Sequence, residues 1–196
     1  MTETSERDDA VEARVGEALR ERDHTVAVAE SLTGGLVCSR LTDVPGSSDY
    51  FDRGVVTYSN VAKLDALAVS RESLDAYGAV SEAVAREMAQ GVRDTAGTTW
   101  GVSTTGIAGP TGGTSEKPVG LVFVGVAYAA PWGSDESFAR ADRYVFDGDR
   151  HAVKSQSATQ ALSNLLAGVQ GVTDDPETGS GTGTRTGTDA GTDTDA

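Results

Sequence analysis

The sequence predicts a single α/β domain of three layers, an α/β/α sandwich with helices on both faces of a mixed β-sheet. Three observations predict it. Short apolar runs alternate with stretches of helical periodicity through the first half of the chain, as strands and crossover helices do. Two strand-like runs then follow one another without a helical stretch between them, which adds antiparallel pairing and makes the sheet mixed. Roughly 160 residues have globular composition, a length that suits one core.

The elements follow in order. Val11 to Arg22 carries Val11, Val15, Ala18 and Leu19 at helical spacing. Thr25 to Ala29 is a short β-branched and small apolar run, read as a buried strand. Helical periodicity returns from Thr33 to Leu41, and Asp43 to Ser48, with Pro45 and Gly46, is a loop. Phe51 to Tyr58 reads as a strand, Ala62 to Leu67 as a short helix, and Ser70 as the cap of another short helix ending at Tyr77. Ser81 opens a helix whose Val84, Met88 and Val92 repeat every four residues. Trp100 to Thr104 is a strand, Val119 to Tyr128 a central strand, and Phe138 to Phe146 a strand nearer an edge. Asp149 to Leu166 is the final helix.

Residues 1–10 read as a flexible N-terminus and 11–170 as the domain. Residues 171–196 are Gly, Thr and Asp with almost no apolar side chain, a composition that cannot offset its ordering entropy by burial and predicts a disordered acidic tail. Net charge is −14, so nucleic acid is not an expected partner: phosphate contacts need clustered Lys and Arg. Three lysines stand against thirteen arginines, and eighteen Asp against twelve Glu. That balance resembles the proteins of salt-accumulating haloarchaea, whose self-repulsion is screened at high salt. The single cysteine, Cys38, rules out an internal disulfide, and His24 and His151 belong to no ligand-spaced motif, so no metal and no cofactor are expected. Without an apolar leader or a long apolar span, the expectation is a cytoplasmic protein with no membrane partner.

Three motifs could carry chemistry. In AESLTGG, Ala29 to Gly35, Ser31 follows a strand and precedes a helix, where open α/β sheets put ligand sites. The bland reading of Ser31 is a helix cap. Two glycines in the first turn weaken that reading, because they cost helix stability unless something approaches closely. The N–H groups of Leu32, Thr33, Gly34 and Gly35 would then be open to an anion. In VTYSNVAK, Val56 to Lys63, a Lys follows a Tyr by five residues at a strand–helix junction. A neutral Lys can take a proton from a hydroxyl, whereas Arg cannot deprotonate in practice. The bland reading is a surface Lys and a half-buried Tyr. TGIAGPTGG, Thr105 to Gly113, has five Gly or Pro in nine residues and could present an anion nest, with Lys117 or Arg150 adding charge. It could equally be a flexible hairpin connection.

With these residues, and with GSSDYFDRGVVTYSNVAK, GAVSEAVAREMA, TGIAGPTGGTSEKPVG and FDGDR in order, the chain resembles the CinA C-terminal domain family, in particular its stand-alone nicotinamide-nucleotide amidohydrolases. Leu32 departs from the Cys that many members have there. The resemblance implies hydrolysis of the carboxamide of nicotinamide mononucleotide to nicotinate mononucleotide and ammonia, without a cofactor. It implies Ser31 as nucleophile, assisted by Lys63 directly or through Tyr58. It implies a substrate-binding set of Glu30, Thr33, Gly34, Gly35, Asn60, Thr105, Gly106, Ala108, Gly109, Gly112, Gly113 and Arg150. It further implies a homodimer, and a single-domain form without the molybdopterin-binding-like domain of full-length CinA proteins. A non-catalytic nucleotide-binding module linked to competence or DNA damage, or an amidase for another small amide, are the alternatives.

Overall fold

The computed structural model describes residues 10–172. The expected flexible N-terminus and disordered tail lie outside the described residues, save Ala10, Gly171 and Val172. The fold is organised around Val26–Glu30 (β1), a strand buried along its whole length. Its side chains alternate between two faces. Val26 and Val28 pack into one core, and Ala27 and Ala29 into another.

Two strands flank β1 in parallel, Phe51–Val56 (β2) on one side and Trp100–Gly106 (β3) on the other. Leu121–Tyr128 (β4) pairs antiparallel with β3, and Phe138–Val145 (β5) antiparallel with β4. The sheet therefore runs β2-β1-β3-β4-β5, mixed as expected.

The helices divide between the faces. Val11–Glu21 (α1), Leu36–Thr42 (α2) and Arg150–Gly171 (α6) cover Val26, Val28, Val102, Val124 and Val126. Asn60–Leu67 (α3), Arg71–Tyr77 (α4) and Glu82–Ala96 (α5) cover the other face. After β1 the chain leaves onto the first face to reach β2; after β2 it leaves onto the second to reach β3. Connections that part to opposite faces open a crevice at the carboxyl ends of the strands between them.

Local signals explain most boundaries. Ser59, Ser70 and Ser81 each accept a hydrogen bond from a backbone N–H of the helix that follows, and Asp149 does so for α6. Helix α5 lies close against the sheet because Gly101 and Gly125 have no side chain beneath it. A Cβ on Gly125 would stand 2.4 Å from the carbonyl oxygen of Ala85. Most boundaries shift from the sequence reading by one or two residues, and two shift further. Helix α2 starts at Leu36, not Thr33, because Gly34 (φ 64°) and Gly35 (φ 99°) hold the chain in the left-handed region. Helix α6 continues past Leu166 to Gly171, where Val169 is still buried against the sheet.

Candidate active site

The crevice holds a cavity of about 290 Å³. Ser31 and Leu32 enter it from the end of β1, Thr105 and Gly106 from the end of β3, and Ile107, Ala108, Gly109, Thr111 and Gly112 from the Gly-rich loop. Tyr58 comes from the segment after β2, Lys63 from α3, Ala79 and Val80 from the turn before α5, and Arg150 from the first position of α6.

Ser31 is not a helix cap. Its backbone N–H donates to the carbonyl of Thr104 at 2.9 Å, which ties it to β3, and its Oγ accepts a hydrogen bond from Lys63 Nζ at 3.1 Å. Lys63 is 1% exposed, an unusual place for an ammonium group. Its Nζ also donates to the carbonyl oxygen of Thr57 at 2.7 Å. Ser59 caps α3 and sets the turn that points Lys63 back toward the sheet. Burial removes water from the ammonium and pushes the Lys63 pKa down from its ordinary value, which favours the neutral amine. A neutral amine in contact with a hydroxyl can take its proton.

The start of α2 is occupied from within the chain. Glu30, fully buried, accepts hydrogen bonds from the N–H groups of Gly35 (2.8 Å), Val37 (3.2 Å) and Cys38 (2.9 Å). Its carboxylate thus takes the place that the sequence reading left open for an anion at Gly35, and Glu30 itself faces the helix rather than the cavity. Among the described residues the Leu32 N–H has no hydrogen-bond partner, and Leu32 lines the cavity.

Tyr58 and Arg150 meet at the mouth. Arg150 donates through Nη1 to the carbonyl oxygen of Gly109 at 2.7 Å and through Nη2 to the Tyr58 hydroxyl at 3.0 Å. Tyr58 is 65% exposed, and no hydrogen bond joins it to Ser31 or Lys63.

Of the sequence-derived residues, Ser31, Tyr58, Lys63, Thr105, Gly106, Ala108, Gly109, Gly112 and Arg150 converge on the cavity. Glu30, Thr33, Gly34, Gly35, Asn60 and Gly113 do not line it. Thr33 is fully buried, its hydroxyl 2.6 Å from that of Thr104, which locks the turn after β1 to β3. Gly34 and Gly35 supply the left-handed turn, and Asn60 is the exposed first residue of α3. Gly113 packs against Val119 in the loop. Ile107 and Thr111 line the cavity from within the Gly-rich motif; Ala79 and Val80 line it too, but an apolar pair in a turn carries no local signal of a ligand. Lys117, offered as a charge for the site, donates instead to the carbonyl of Tyr77 at 2.6 Å.

Fold and site together define a three-layer α/β/α domain with a Ser–Lys pair in a crevice at the carboxyl ends of its parallel strands. The CinA C-terminal domain matches residues 8–169, and the chain belongs to that family. It is 56% identical over 148 residues to a CinA-like protein of Chlorobaculum tepidum, covering 76% of this chain and 34% of that one. It is 54% identical over 155 residues to a CinA-like protein of Salinibacter ruber, covering 79% and 36%. The chain thus spans about a third of the length of these relatives. A crystal structure of the competence/damage inducible protein CihA from Agrobacterium tumefaciens superposes with a TM-score of 0.74 at 37% identity, over 80% of this chain and 92% of that one. A CinA superfamily protein from Klebsiella pneumoniae gives 0.74 at 33% identity, over 82% and 96%. Among the described residues, no helix is long and apolar enough to cross a membrane.

Proposed function

We propose that the protein hydrolyses the carboxamide of nicotinamide mononucleotide, releasing nicotinate mononucleotide and ammonia. The observation that carries this reading is the direct contact of a buried Lys63 amine with the Ser31 hydroxyl. In the neutral form, Lys63 Nζ takes the Ser31 proton as Oγ attacks the amide carbon. The tetrahedral intermediate collapses, its C–N bond breaks, and the nitrogen leaves as ammonia with the proton returned by Lys63. Water, deprotonated by the same amine, then cleaves the acyl ester on Ser31 and frees the carboxylate. The unpartnered Leu32 N–H is suited to the developing oxyanion, an interaction whose loss typically costs about 3–4 kcal/mol of barrier.

The walls support the same substrate. Leu32, Ala79, Val80, Ile107 and Ala108 offer an apolar surface for an aromatic ring. No residue lining the cavity is acidic, in a chain of net charge −14, and Arg150 brings a cation to its mouth. That combination favours a ligand with an anionic group.

The test is ammonia release from nicotinamide mononucleotide in about molar KCl, the salt regime the charge balance suggests, by wild type beside Ser31→Ala. Turnover by the wild type that vanishes in the variant supports the reading. Full activity in Ser31→Ala removes the nucleophile assignment. Tight mononucleotide binding without turnover by the wild type replaces the enzyme with a binding module.

A further inference from the structure

Tyr58, Arg150 and Gly109 form a bridge between three separate parts of the chain: the segment after β2, the start of α6 and the Gly-rich loop. Within the amidohydrolase reading, a Tyr between nucleophile and base would carry protons. The contacts run otherwise. Lys63 reaches Ser31 Oγ itself, so no relay is needed. The Tyr58 hydroxyl lies in solvent-accessible surroundings and accepts from a permanent cation.

We infer that Tyr58 is a positioning residue: its hydroxyl, with the Gly109 carbonyl, fixes the Arg150 guanidinium across the cavity mouth as the receptor for the ligand's phosphate. The inference rests on the substrate reading above for the identity of that phosphate. Three observations carry it. Arg150 is held at both terminal nitrogens by neutral acceptors and makes no ion pair with a carboxylate among the described residues, so its charge stays available to a ligand. An Arg side chain held at two points has already lost most of its rotamer freedom, which lowers the entropic cost of binding an anion. Lys63, the other basic side chain lining the cavity, is committed at depth to Ser31 and Thr57, which leaves the outer end of the cavity to Arg150.

The role divides KM from kcat. The full chain is compared as wild type, Tyr58→Phe, Arg150→Ala and the double variant, with nicotinamide mononucleotide and with nicotinamide riboside, which lacks the phosphate. Positioning predicts that Tyr58→Phe raises KM for the mononucleotide by about fivefold or more, with kcat within about twofold. The loss for the riboside is smaller by at least about the same factor. The double variant is no weaker than Arg150→Ala alone, since both changes remove one interaction. The acidic limb of the rate profile stays where it was. A fall in kcat of about a hundredfold at unchanged KM, or a shifted limb, makes Tyr58 a proton carrier and overturns the inference. Equal losses for riboside and mononucleotide, or additive effects in the double variant, overturn it as well. Calorimetric binding of nicotinate mononucleotide to the same four proteins separates this inference from the activity: weaker binding in both single variants supports the bridge even where no ammonia is released, and unchanged binding sinks it.

Discussion

Lys63 Nζ stands 3.1 Å from Ser31 Oγ, although the two residues are 32 positions apart and lie on different elements. The pairing exists because β1 and β2 are parallel neighbours, so that the turn after β1 and the helix after β2 leave the same edge of the sheet. Burial of the amine is what gives this contact chemical meaning.

The rate should follow the neutral form of Lys63. Its pKa is lowered by burial, so kcat/KM rises with pH through a limb that lies below the ordinary lysine value of about 10.4. Lys63→Arg keeps the charge but cannot deprotonate, and should lower kcat by about 10²–10⁴ and abolish the limb. A limb that survives in Lys63→Arg would belong to another group.

The same burial costs stability. The folded state holds the Lys63 proton less tightly than the unfolded state, so between the lowered folded pKa and about 10.4 the unfolded chain binds more protons and stability rises with pH. Lys63→Met, which removes the ionisable group at similar length, should melt higher than wild type near pH 7, with the difference shrinking toward pH 10. Thermal melts of both proteins across that range check the sign; a gap that widens with pH would refute it.

Glu30 satisfies three N–H groups at the start of α2. Glu30→Gln offers one acceptor oxygen and a competing donor, leaves buried N–H groups unpaired, and should cost about 2–4 kcal/mol of stability. Denaturant unfolding measures it. A neutral result would show that water reaches the helix start.

Gly125→Ala should be strongly destabilising for a reason unrelated to chemistry. Its Cβ would meet the Ala85 carbonyl oxygen at 2.4 Å, and α5 would have to lift from β4. The expected loss is about 1–3 kcal/mol or more, read as a lower denaturation midpoint.

Cys38 should be an unreactive thiol. Burial, then the adjacent Glu30 carboxylate, pushes its pKa well above the ordinary range, so thiolate is scarce at neutral pH. Iodoacetamide at pH 8 should label the native protein at least about tenfold more slowly than the urea-unfolded chain. Equal rates would mean the thiol is open to solvent.

The sequence by itself determined the elements, because their signals are local. The Ser70 cap, the helix starts at Ser81 and Asp149, the four-residue repeat of Val84, Met88 and Val92, and the apolar run in β4 each need only near neighbours in the chain. The motif residues of the cavity were legible too, since glycines after a strand are costly without a purpose. Sheet order decided the rest. Whether Glu30 faced a ligand or a helix start depended on how Gly34 and Gly35 turn the chain. Whether the Tyr58 hydroxyl met Ser31 or Arg150 depended on a contact across 92 residues. Only the tertiary structure decides such meetings, because a side chain's partner is set by which strands lie side by side, and no local periodicity encodes that.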